Sequence, residues 1–326
     1  MPPRSLTVGI DVGGTFTDLL AVDPRSNTVK LAKVPTTVDN QAVGFMAALA
    51  AAEADPAAVQ ALVHGTTTTT NALLERKIAK VGLITTKGFR DVLELGRRTR
   101  PQPYGLRGTF TPLIDREVRL EVPERMDADG KVLTPLDEAA VGEAAKKLIA
   151  LGCEAVVIHF LHSYINPAHE KRAAEIVHAL WPNGYITAGH AILSEYREYE
   201  RGVTAAVNAS VQPVLDRYLS RLRLELLGKS FDRDILVMQG NGGTASSQFI
   251  ALSAVNTVMS GPASGVMAAA YTGRASGHPN LITYDMGGTS TMGTWMGMAY
   301  SSSSSPDTVG TAFSIRPTSV EVPPMS

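Results

Sequence analysis

The sequence is short of the features that mark a disulfide-bonded, metal-clustered or membrane-bound protein. It holds one cysteine, Cys153, in 326 residues, which excludes an internal disulfide and any cysteine-based metal cluster. Neither sign of charge prevails. Lys and Arg number 30 against 31 Asp and Glu, so no global field draws the chain to nucleic acid or to an anionic membrane. No apolar run reaches the length of a bilayer-spanning helix. Met1-Pro-Pro-Arg-Ser5 leads straight into a strand-like segment without a signal-peptide pattern, so a cytoplasmic protein is expected. The Lys-Ser/Thr pair of the P-loop and the third glycine of the dinucleotide fingerprint are missing as well. What is present is 44% apolar and 19% charged residues, which suits a packed core.

Local patterning predicts an α/β protein. Leu6–Ile10, Leu19–Val22 and Val29–Val34 read as strands joined by loops short enough for antiparallel neighbours. Asp39 is placed to cap an Ala-rich helix over 40–53. Ala61–His64, Thr68–Lys77 and Val81–Thr85 then alternate strand, helix, strand, as parallel pairing requires. Residues 97–135 are rich in Arg, Pro and Gly, with a turn at Asp127–Gly130. A helix over Asp137–Leu151, a strand over Ala155–Phe160 and a helix over Pro167–Leu180 follow. Tyr199 to Leu227 is one long amphipathic pattern, with Pro213 as a possible kink. Ile235–Met238 and Val255–Met259 read as strands, Pro262–Thr272 as a helix of small residues, and Leu281–Tyr284 as a strand. Periodicity does not decide whether 61–86 or 234–259 completes the first sheet. From Met292 onward the pattern changes, with a serine run at Ser301–Ser305, and poor order is expected there.

The most informative feature is an internal repeat. Asp11-Val-Gly-Gly-Thr-Phe-Thr-Asp18 returns as Asp285-Met-Gly-Gly-Thr-Ser-Thr-Met292, identical at five of eight positions, each copy after an apolar strand. Gly13, Gly14, Gly287 and Gly288 permit positive φ and close backbone approach. Successive N–H groups in such a turn form an anion-binding concavity. Thr15, Thr17, Thr289 and Thr291 add hydroxyl donors, and Asp11 and Asp285 are placed to hold a hydrated Mg²⁺. A single copy reads equally well as a tight hairpin; two matching copies favour a pair of phosphate loops.

These loops resemble the two phosphate motifs of the actin, Hsp70 and sugar-kinase superfamily. More narrowly, the chain resembles the hydantoinase A/5-oxoprolinase family. The resemblance is carried by Val8–Asp18, His64–Arg76, Ile84–Asp91, Arg97–Pro101, Asn166–Glu170, Arg197–Arg201, Met238–Gly243, Ser260–Ala263 and Asp285–Thr291. It implies an actin-like, ribonuclease H-like ATPase lobe with an inserted α+β substrate domain and most of the second lobe missing. The corresponding regions are 1–200, 201–291 and a non-family tail, 292–326. The implied activity is ATP- and Mg²⁺-dependent phosphorylation of a cyclic amide oxygen, followed by ring opening by water, with a B-type partner subunit. Acetone or acetophenone carboxylation and a non-catalytic fragment are the alternatives. The implied phosphate contacts include Asp18, and the second loop departs from the family pattern at Met292, where an aspartate is expected.

His64 opens a Gly-Thr-rich segment between strand and helix. With Thr66, Thr67, Thr68 and Asn71 it reads either as a substrate site with a proton-carrying histidine or as a capped helix start. Arg97, Arg98 and Arg100 read as an anion clamp or as a solvated face. Asn241 and Gly242 read as cleft lining or as a plain loop. His159, His162 and His169 lack the converging ligands of a metal site and read as ordinary half-buried histidines, and Cys153 as a small buried residue.

Overall fold

The computed structural model describes residues 4–37, 40–97, 111–278, 280–286 and 291–296. The chain divides into two units: Met1–Thr67 with Leu222–Ser247 and Asn256–Ser326, and Thr68–Arg221 with Gln248–Val255.

In the first unit, β1 (Leu6–Val12), β2 (Phe16–Asp23) and β3 (Thr28–Pro35) form an antiparallel meander. Its short turns leave no other pairing. Side chains alternate along β2, with Thr17, Leu19 and Ala21 buried and Phe16, Asp18 and Leu20 exposed. Helix α1 (Gln41–Ala51) buries Ala42, Phe45, Ala48 and Leu49. Asn40 holds its N-cap position without a side-chain bond, and the expected cap Asp39 lies outside the described residues. Strand β4 (Val59–Thr66) runs parallel to β1.

The second unit opens with α2 (Thr68–Leu74) and β5 (Val81–Thr86). After α3 (Val92–Leu95) come β6 (Arg119–Val122), the small β7 (Arg125–Met126) and β8 (Val132–Thr134) hairpin, α4 (Glu138–Ala150), β9 (Ala155–His159), α5 (Ala168–His178), β10 (Ile186–Ala188) and α6 (Gly189–Ile192). Its main sheet is wholly parallel, ordered β10-β9-β5-β6. Strands β5 and β9 are buried at every position, as parallel strands covered on both faces must be. Gly82 of β5 meets Leu148 of α4 so closely that a Cβ there would stand 2.7 Å from both leucine methyls.

Helix α7 (Glu198–Leu227) belongs to the second unit up to Arg221 and to the first from Leu222, and continues through Pro213. Strands β11 (Leu236–Met238) and β12 (Thr244–Ser246) complete the first unit's sheet, ordered β12-β11-β4-β1-β2-β3. Both 59–66 and 236–238 therefore extend that sheet, while Val81–Thr86 goes to the other one. After α8 (Ser247–Leu252), the strand expected over Val255–Met259 is instead a 3-10 turn at Ala254–Thr257, followed by Met259 at φ 61°. A left-handed residue there turns the chain abruptly into α9 (Ser260–Ala275). The chain ends its described course in β13 (Leu281–Met286) and β14 (Thr291–Met296), an antiparallel pair.

Among the described residues no helix is long and apolar enough to cross a membrane.

Candidate functional site

Three parallel strands of the first unit, β1, β4 and β11, end at one edge of their sheet. Ligand sites in α/β sheets form outside such carboxyl ends. The β1–β4 register sets Ile10 opposite His64 and Asp11 opposite Gly65. Strand alternation then sends His64 and Asp11 to opposite faces.

Asp11 projects from the exposed face, and its Oδ1 lies 2.5 Å from where a Cβ on residue 65 would stand. A Cβ there would displace that carboxylate from its position. The turn beyond it closes through Gly13 N–H donating to Phe16 O at 3.0 Å and Thr36 N–H to Thr15 O at 2.9 Å. Gly13 does not adopt a left-handed φ. A Cβ there would meet the Phe16 carbonyl at 3.0 Å, so close approach, and not positive φ, is what this position requires. Asp18 sits across the ladder from Asp11 and pairs with Lys33 Nζ at 2.8 Å on the exposed face.

Thr17 and His64 occupy the other face. Thr17 is fully buried and its hydroxyl bonds Thr36 Oγ1 at 3.0 Å, which places it in the layer under α1 and away from the loop. His64 is also fully buried, edge-on to Phe45 at 5.2 Å between centroids. Its Nδ1–H donates to Ile10 O at 3.2 Å, since a carbonyl can only accept. Burial pushes its pKa down to about 4, so the ring is neutral at pH 7. His64 thus packs in the core of the first unit and ties β4 to β1.

The loops around the strand ends fit closely. Thr67 Oγ1 donates to Val12 O at 3.3 Å, and Ser260 Oγ at the start of α9 donates to Thr66 O at 3.2 Å. Asn241 Oδ1 accepts from Gly243 N at 2.9 Å. Gly242, at φ 83°, lies against Met267 of α9, 2.7 Å from where its Cβ would be. Ser260 and Gly65 went unassigned as site residues in the sequence, although both fall in segments that carry the family resemblance.

The second copy of the repeat folds in the same register. Asp285 opposes Met292 and Met286 opposes Thr291 across β13–β14, just as Asp11 opposes Asp18 and Val12 opposes Thr17. Helix α9 packs against β4 and β11 and also against β13 and β14. Gly287, Gly288 and Thr289 lie outside the described residues. Thr68 and Asn71 belong to α2 and Arg97 to the second unit, where Arg97 Nε donates to Glu200 Oε1 at 2.6 Å. Arg98 and Arg100 are outside the described residues.

A mixed α/β architecture with a repeated Asp-x-Gly-Gly-Thr hairpin is the class that fold and sequence define. The profile of the hydantoinase/oxoprolinase N-terminal region matches residues 7–181, and that of hydantoinase/oxoprolinase matches 201–298. The chain belongs to this hydantoinase/oxoprolinase family. It is 36% identical over 301 residues to caprolactamase subunit alpha of Pseudomonas jessenii, covering 89% of this chain and 43% of that one. The crystal structure of that organism's ATP-dependent caprolactamase superposes with a TM-score of 0.77 at 34% identity, over 89% of this chain and 43% of the other. The nucleotide-free structure of acetone carboxylase, which carries out ATP-dependent acetone carboxylation, superposes with a TM-score of 0.80 at 30% identity, over 90% of this chain and 44% of the other. The chain thus spans about two-fifths of these relatives' length.

Proposed function

We propose that this chain supplies the ATP-handling part of an ATP-dependent enzyme that opens a cyclic amide. The observation that carries the reading is the repeated hairpin, with Asp11 and Asp285 at equivalent register positions and one helix, α9, against both sheets. The residues suit a magnesium nucleotide. Asp11 is an oxygen donor at a strand end, held over a glycine that leaves its carboxylate room. Asp11 would hold a hydrated Mg²⁺, with Asp285 in the matching role, and the backbone of Gly13–Thr15 and Gly287–Thr289 would cradle phosphates. When bound, Mg-ATP would supply the phosphoryl group: a bond from the amide oxygen to phosphorus would form as the bond to ADP breaks, water would add to the activated ring carbon, the ring C–N bond would break to free the amine, and a second water would release phosphate and leave the carboxylate. His64 holds β4 against β1 from within the core and so fixes Gly65 beneath Asp11. A B-type subunit is the expected partner.

Phosphate release from Mg-ATP, measured with and without caprolactam, 5-oxoproline or hydantoin and with and without a B-type subunit, tests this. Stimulated release supports the reading; absence of release in all arms overturns it. A second reading rests on Met292, which opposes Asp285 where Asp18 opposes Asp11. On that reading the chain binds a partner subunit without turning over ATP, and a stable complex lacking ATPase activity is its signature.

A further inference from the structure

The first hairpin lacks a cation of its own. Phosphoryl transfer is carried mainly by positioning and by positive charge set around the phosphate oxygens. The stretch Asp11–Asp18 holds two aspartates and neither lysine nor arginine. The β1–β2 register sets those aspartates directly opposite each other, and residues so paired share a face of the sheet. Acidic side chains in that arrangement attract a divalent cation and repel the phosphates that come with it.

Strand β3 supplies the cation. Its register sets Lys33 opposite Asp18, so Lys33, Asp18 and Asp11 form one row across β3, β2 and β1, all three exposed. Lys33 Nζ donates to both carboxylate oxygens of Asp18, at 2.8 and 2.9 Å. It also lies 4.9 Å from the centre of the Phe16 ring, on the same face and two residues nearer the turn. Phe16 O accepts from Gly13 N–H and so closes that turn. The ammonium is thus lodged between the carboxylate next to Asp11 and the ring beside the Gly13–Thr15 bend. An ammonium has three donors, so two bonds to Asp18 leave one for a further acceptor.

Lys30 shows that the placement is particular to Lys33. It alternates to the other face, opposite Ala21, and donates to Glu53 O at 2.8 Å just past α1. Stability gives little reason for the Lys33–Asp18 pair, because exposed ion pairs contribute little and these side chains are 58% and 53% exposed. The equivalent position of the second hairpin holds Met292 opposite Asp285.

We propose that Lys33 is the phosphate-binding cation of the first hairpin, with Asp18 as the positioning residue that holds its ammonium beside Asp11. The phosphates of a magnesium nucleotide take the remaining donor. This rests on the nucleotide reading given above and adds to it a residue from outside the repeat. The test is equilibrium titration of the full chain with Mg-ATP and with magnesium tripolyphosphate, beside melting curves, for Lys33→Met, Lys33→Arg and Asp18→Asn.

Lys33→Met should keep the melting temperature and lose affinity for both probes by about tenfold or more, as expected for one charge-assisted hydrogen bond. Lys33→Arg should keep most of that affinity, since a guanidinium has donors for both Asp18 and a phosphate. Asp18→Asn separates positioning from repulsion: a loss smaller than that of Lys33→Met supports positioning, and a gain in affinity overturns it. Unchanged affinity in Lys33→Met, or a loss that Lys33→Arg does not rescue, overturns the proposal. A pair that only braces β2 against β3 would lower the melting temperature and leave both affinities where they were. Lys33-dependent tripolyphosphate binding without amide-stimulated phosphate release would sink the amide-opening reading and leave this one standing. Stimulated release with unchanged titrations in Lys33→Met would do the reverse, and binding of neither probe by the unaltered chain would overturn both.

Discussion

Asp11 and Gly65 face each other across the β1–β4 pair, with the Asp11 carboxylate oxygen 2.5 Å from where a side chain on residue 65 would begin. The strand-end aspartate and the glycine that opens the Gly-Thr-rich segment are thus one structural unit. Gly65→Ala must displace the carboxylate. The expected outcome is a folded protein destabilised by about 1–3 kcal/mol. Because a displacement of about 1 Å can cost on the order of a hundredfold in rate, ATP turnover should fall far more than stability suggests. Chemical denaturation and phosphate release on the same sample check this.

Thr17 and Thr15 should separate by function. Thr17 is buried and bonded to Thr36, whereas Thr15 is exposed on the turn. Thr17→Val should cost about 1 kcal/mol of stability and leave nucleotide affinity nearly unchanged. Thr15→Ala should do the opposite. Melting curves and nucleotide titrations of the two variants decide it.

Acid should destabilise the first unit through His64. Its folded pKa is about 4 because burial penalises the charged ring, against an ordinary value of 6.5. Between those values the unfolded chain binds the proton and the folded chain does not. Stability is therefore full above pH 6.5 and is lost as pH falls towards 4, by on the order of 3 kcal/mol. His159, buried in the second unit with its pKa also lowered to about 4, adds in the same direction. Unfolding followed at pH 7.0, 5.5 and 4.5 should show this slope, and His64→Gln should flatten part of it.

Gly82 and Leu148 should be energetically coupled. Gly82→Ala puts a methyl group 2.7 Å from both Leu148 methyls and should cost about 1–3 kcal/mol. With Leu148 shortened to Ala, the added methyl fills part of the space vacated, so the double variant should be more stable than the sum of the single losses predicts. A double-mutant cycle reading a coupling of at least about 0.5 kcal/mol confirms it.

Much of the fold was legible because its signals are local. Short turns gave the β1–β3 meander, and 3.6-residue spacing gave α4, α5 and the long α7. The repeat was legible too, and its two copies share one register. What periodicity missed depends on distant partners. The apolar run after Ser253 looked like a strand but turns into α9 at Met259. His64 looked available beside its threonines, yet alternation on β4 sends it under α1. Arg97 gave no hint of Glu200, 103 residues away. His169 read as an ordinary histidine, and its bond to Glu124, 45 residues away, was not legible because the partner comes from another element.

The most direct test is binding and hydrolysis of Mg-ATP by Asp11→Asn and Asp285→Asn beside the unaltered chain. If the two hairpins grip one triphosphate, each substitution alone should remove most of the phosphate release while the melting temperature holds. Unchanged ATP affinity and turnover in either single variant would contradict the account.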